Sequence, residues 1–111
     1  MIVTVPRGGS LSALLVGIDG DLATACTLVL KAAGLRVERD DHLQAACQRI
    51  PVMQPYLVVL PETLRAKGRE AIDDRAIAVG AEVVWIDPES DRTTLTTMLT
   101  TAAEKAINRT S

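Results

Sequence analysis

Short, almost wholly apolar runs alternate along this chain with longer segments in which apolar side chains recur every three or four residues. The first run, Ala13-Leu14-Leu15-Val16 within Leu11 to Ile18, is closed by Gly17-Ile18-Asp19-Gly20. An unbroken apolar run ending in glycines predicts a strand buried on both faces and followed by a turn. Asp21 then stands as N-cap of a helix to about Ala33, with Leu22, Ala25, Cys26, Val29 and Ala33 at helical spacing and Gly34 as the left-handed stop. Leu35 to Arg39 turns Leu35 and Val37 inward between charged neighbours, the pattern of an edge strand. A second helix is predicted from about Asp41 to Ile50, burying Leu43, Ala46, Cys47 and Ile50. Pro51 and Pro55 bracket the connector after it.

The second half keeps the alternation. Tyr56-Leu57-Val58-Val59-Leu60 suits a central parallel strand and is ended by Pro61. A helix from about Thr63 to Val79, weakened by Gly68, has Ala71, Ile72, Ala76 and Val79 as its apolar side and Gly80 as its close. Glu82 to Ile86 is the last strand, cut by Asp87-Pro88. The last helix, from about Asp91 to Ile107, sets Leu95, Met98, Leu99, Ala102 and Ala106 on one stripe. Its many threonines lower intrinsic helix propensity, so packing of that stripe must hold it. The order βαβαβαβα calls for an α/β fold: a three-layer, flavodoxin-like parallel sheet of about four strands, covered by helices on both faces and joined by right-handed crossovers. Residues 1–10, with Pro6 and Gly8-Gly9, read as a flexible lead-in, and residues 11–111 as a single domain. There is no internal repeat or low-complexity segment.

Composition narrows the function classes. The 111 residues carry twelve basic and fourteen acidic side chains, a net charge of -2, without the positive field that neutralises phosphates in nucleic-acid binders. Tyr56 and Trp85 are the only aromatics, a poor platform for base stacking, so direct nucleic-acid binding is not expected. No apolar run is long enough to span a membrane, and Met1 to Pro6 lacks the layout of a signal peptide, so a cytoplasmic domain with no membrane contact is expected. Cys26 and Cys47 sit inside apolar helical patterns without ligand spacing. We read them as small core residues rather than as a disulfide or redox pair. His42 stands alone, which argues against a zinc-type metal site, and no cofactor is expected.

One family resemblance emerges from these residues. Leu14-Leu15-Val16, an acidic turn, a helix ending Leu30-Lys31-Ala32-Ala33-Gly34, then Val37, a second helix and Pro55-Tyr56-Leu57-Val58-Val59-Leu60 resemble the first half of a response-regulator receiver domain of two-component signalling. Gly80-Ala81-Glu82-Val83-Val84-Trp85-Ile86-Asp87-Pro88 and the long helix after it resemble the receiver's end, so the likeness covers about residues 13 to 107. Receivers transfer phosphoryl to an Asp with a divalent cation held by an acidic pair. Aligned on Gly34, that pair falls on Gly17 and Ile18, with Asp19 one place late. The acceptor falls on Pro61 and the acyl-phosphate lysine on Asp87, with Pro88 kept behind it, while Val84 takes the place of the aromatic switch. Only Glu62 to Ala81 separates the third strand from the last, a shortening by about one βα unit that removes the Ser or Thr switch strand. The resemblance thus implies a degenerate, bacterial pseudo-receiver without phosphorylation chemistry.

What remains is weighed against local explanations. Asp19, Asp21, Glu62 and Asp87 lie at the carboxyl ends of strands, where open α/β sheets bind ligands, and could form a cation site. Capping and turn chemistry explains them more simply, since acids concentrate at helix starts. Gly17 to Asp21 matches neither the dinucleotide fingerprint nor the P-loop. Arg65, Lys67 and Arg69 form a basic cluster that opposes its helix dipole, which keeps it as a candidate contact. Trp85 reads as core or as an interface anchor on the last-strand side, with Val84 and Pro88 beside it, and Met98 with the threonine-rich flank of the last helix is a second candidate surface. The expected function is therefore a non-enzymatic, phosphorylation-independent interaction module that binds another protein, an output domain or itself. The alternatives are a flavodoxin-like enzyme or a small-ligand or divalent-cation-binding domain, and a structural subunit dimerising through its last helix.

Overall fold

The computed structural model describes residues 11 to 109; the expected lead-in, residues 1–10, lies outside them. The strands are β1 (Ser12–Val16), β2 (Arg36–Asp40), β3 (Leu57–Pro61) and β4 (Glu82–Ile86). They alternate with helices α1 (Gly20–Ala32), α2 (Leu43–Met53), α3 (Arg65–Val79) and α4 (Arg92–Arg109), and one 3-10 turn, Glu62–Leu64, precedes α3. All pairings are parallel, in the order β2-β1-β3-β4. The result is the three-layer flavodoxin-like arrangement expected from the alternation.

Pleating divides the core into two. Ala13, Leu15, Leu57, Val59 and Ile86 face α1 and α4, packing with Cys26, Leu30, Leu95 and Leu99. Leu14, Val16, Val58 and Leu60 face α2 and α3, packing with Ala46, Cys47, Ile50 and Ile72. Both central strands are buried throughout, which is why β1 and β3 are apolar runs rather than alternating ones. The chain steps one way through α1 and the other way through α2 and α3 on the opposite face, which gives all three crossovers the same hand.

Several boundaries differ from expectation. Asp19, not Asp21, is the N-cap of α1: its extended backbone turns into the helix and its carbonyl accepts the Ala23 N–H at 3.2 Å, leaving Asp21 in the first turn. Pro51 lies inside α2 rather than opening a connector. Near the C-terminal end it forfeits only one i→i−4 hydrogen bond, and the helix closes at Gln54, in the left-handed region with φ 51°. In α4, Ala103 joins Leu95, Leu99, Ala102 and Ala106 in the buried stripe, whereas Met98, at its border, is 40% exposed.

The start of α4 supplies a pH-dependent cap. Asp91 Oδ1 accepts the Thr94 backbone N–H at 2.7 Å, and this bond holds the carboxyl below its ordinary value of 3.8. A carboxyl that is more acidic when folded stabilises the fold above its unfolded pKa, and the contribution is lost as pH falls through the folded value. Asp91→Ala is therefore expected to lower the melting temperature at about pH 7, with the gap from the wild type closing by about pH 2. Thermal melts of both proteins across that range check it.

Candidate functional site

In an open parallel sheet, ligands bind outside the carboxyl ends of the strands where the chain order reverses. Here that point lies between β1 and β3, and its residues are those the receiver resemblance singles out. Gly17, directly after β1, has φ 67° and donates its N–H to the Asp40 carbonyl at 2.8 Å. Ile18 is buried, and its carbonyl accepts from Arg39 Nη2 at 3.4 Å. Pro61 is the buried last residue of β3, and the 3-10 turn after it brings Leu64 back over β1. A Cβ built on Gly17 would lie 2.8 Å from Leu64 Cδ1 and 3.9 Å from Pro61 Cδ. Leu64 thus lies against the exposed Gly17 beside β1, and Gly17, Ile18 and Pro61 supply neither a carboxylate pair nor a nucleophile there.

Of the four acidic residues nearby, Glu62 and Asp87 are engaged locally. Asp19 and Asp21 are exposed at the start of α1, Glu62 pairs with Arg65 at 3.1 Å, and Asp87 Oδ1 accepts the Glu89 backbone N–H at 2.9 Å. Among the described residues no group of three or more His, Cys, Asp or Glu side chains is placed to hold a metal ion. Of the basic cluster, Arg65 is held by Glu62 and Arg69 lies 3.6 Å from Asp73 one turn on, while Lys67 extends from the exposed side of α3.

Sequence reasoning passed over a polar clasp along the β2 edge of the sheet. Arg49 on α2 pairs with Glu38 and with Asp40, the latter at 3.3 Å, and Nη1 donates to the Arg39 carbonyl at 3.2 Å. Asp40 Oδ2 is buried with no hydrogen-bond partner, so the guanidinium on Oδ1 supplies the compensation for that carboxylate. Only tertiary contact joins these groups, and the sequence signal was no more than an alternation of charge in Arg36-Val37-Glu38-Arg39-Asp40.

The second candidate surface is the β4 side. Glu82 to Trp85 are all partly exposed, Trp85 toward the α2/α3 layer and Val84 toward the α1/α4 layer, and Pro88 and Met98 are exposed. Beyond these, a groove of about 500 Å³ runs between α1 and α4, lined by Val29, Ala33, Thr96, Thr100 and by Leu28, which is 62% exposed. Its one sequence signal was a leucine off the buried stripe of α1.

Cys26 and Cys47 are free thiols, buried in opposite layers of the sheet. Burial pushes the Cys26 thiol up to about 11 against the opposing pull of Arg92 and a backbone hydrogen bond, which leaves it protonated and unreactive at neutral pH. No helix among the described residues is long and apolar enough to cross a membrane. Compared with known proteins, the chain matches no family model and no characterised sequence.

Proposed function

We propose that this chain is a phosphorylation-independent protein-interaction module of the degenerate receiver type, acting in cytoplasmic signalling by binding a partner protein or output domain. The carrying observation is what stands in the crevice: where a receiver would need acids and a phospho-acceptor there are Gly17, Ile18 and Pro61, with Leu64 lying against Gly17. Of the acids at the carboxyl ends of the strands, Glu62 and Asp87 are held by Arg65 and the Glu89 backbone, while Asp19 and Asp21 stand exposed at the start of α1. Interaction then falls to accessible apolar surface, and the reading assigns it to Trp85, Val84 and Pro88 on the β4 side and to Met98 on α4.

Incubation with acetyl phosphate and Mg²⁺, followed by intact-mass measurement, tests the reading. The expected spectrum is that of the unmodified chain. A stable phosphoryl adduct would overturn it.

A further inference from the structure

The two edges of the sheet are built differently, and the difference specifies what can dock on one of them. In a parallel ladder, alternate residues direct both backbone groups to the same neighbour. Arg36 N–H donates to the Leu11 carbonyl at 2.9 Å, so in β2 the outward groups belong to Val37 and Arg39. That edge is guarded. Charged side chains fill four of the strand's five positions, and Arg49 donates to the outward Arg39 carbonyl.

At the opposite edge, Glu82 N–H donates to the Tyr56 carbonyl at 2.9 Å, which turns the backbone groups of Val83 and Trp85 outward. Here the residues are Val83-Val84-Trp85-Ile86, with no proline, bulge or charge among them, and no side chain among the described residues donates to their backbone. Glu82, the one charge on the strand, is drawn toward Lys105 at 4.0 Å. Partial exposure from Glu82 to Trp85 shows that α3 and α4 do not close over this edge.

We infer that β4 pairs antiparallel with β4 of a second copy, joining two four-stranded sheets into one across a two-fold axis at Val84. This deepens the interaction-module reading and rests on it. Outward N–H and C=O groups at strand spacing are matched by another extended strand and by little else. Three observations select a second copy. In the register centred on Val84, Val83 faces Trp85 of the other chain and Trp85 faces Val83, so all four outward groups of each strand are used in four hydrogen bonds. The same register sets valine beside tryptophan on the α2/α3 face, a favourable cross-strand pair, and places Glu82 opposite Ile86 rather than another acid. Finally, the guarded β2 edge rejects head-to-tail addition, so pairing closes at two chains instead of extending into a fibre.

Sedimentation velocity over a wide concentration range, with two variants, tests this. Val83→Pro removes an outward N–H without touching a bond to β3, a position where an edge strand tolerates proline. Two hydrogen bonds vanish per dimer, and self-association should weaken by about thirtyfold with the circular dichroism spectrum unchanged. Val84→Cys sets two thiols across the axis at a Cα separation of roughly 4.5 Å, within disulfide reach, while Cys26 and Cys47 stay buried. Mild oxidation should then yield a covalent dimer, and this readout does not depend on the proline variant folding. A wild-type chain that is monomeric throughout and gives no crosslink overturns the pairing while leaving the interaction module standing; a phosphoryl adduct would sink the module itself. A dimer indifferent to both variants also overturns it and points to the α1/α4 groove.

Discussion

Gly17→Val should lower the folding free energy by about 3 kcal/mol, read as a fall in the urea midpoint with an unchanged slope. Two effects add. The residue sits at φ 67°, a region that costs an L-residue roughly 1–2 kcal/mol and a β-branched one more. Its new Cβ would also meet Leu64 Cδ1 at 2.8 Å, and overpacking of this kind costs about 1–3 kcal/mol. The parts separate in a double-mutant cycle, because Leu64→Ala relieves the clash but not the backbone. The double variant should therefore recover only part of the loss measured on the Leu64→Ala background. Full additivity would mean that Leu64 does not lie against Gly17 beside β1.

The second large effect lies at Gly68, on α3. Glycine inside a helix ordinarily costs up to about 1 kcal/mol relative to alanine, so by propensity alone a leucine there should stabilise. The structure reverses the sign. Gly68 is buried under Leu43 of α2, and a Cβ built on it would lie 2.7 Å from Leu43 Cδ1 and 3.0 Å from its Cγ. Leu43 packs on the α2/α3 core and would have to move at its Cγ as well as its methyl, so Gly68→Leu is expected to destabilise by about 2 kcal/mol despite the better helix former. Adding Leu43→Ala should restore most of that. Denaturant midpoints of the three variants and the wild type decide it, and a stabilised Gly68→Leu single variant would show that the two helices do not pack through this point.

These two glycines mark where sequence reasoning stopped. Gly17 could be recognised as a turn residue, because a glycine after an apolar run usually is one. That a leucine three residues beyond Pro61 would lie against it could not, since the pair meets only when β1 and β3 become neighbours. Gly68 reads in the sequence as a weak point of its helix, and in the fold it is the gap that admits Leu43. Pro51 misled in the opposite direction. A proline usually marks a boundary, but near the end of α2 it removes a single hydrogen bond while packing through Ile50 carries the helix past it. The candidate site shows the same division. The absence of acids at Gly17 and Ile18 and of a nucleophile at Pro61 was legible residue by residue, whereas the Arg49 clasp and the groove beside Leu28 depend on neighbours distant in the chain.

By itself the sequence determined the alternation of elements, the parallel sheet, the two strands buried on both faces and the charged character of β2. All of these are set by local periodicity and by whether a strand's side chains must face one apolar layer or two. Tertiary structure alone decided that β4 lies at an edge, that its backbone groups at Val83 and Trp85 point away from the sheet, and that β2 is guarded by a side chain from α2. Periodicity reports how deeply a residue is buried but carries nothing about which strand lies beside which, because strand order follows from how helices share the two faces of the completed sheet.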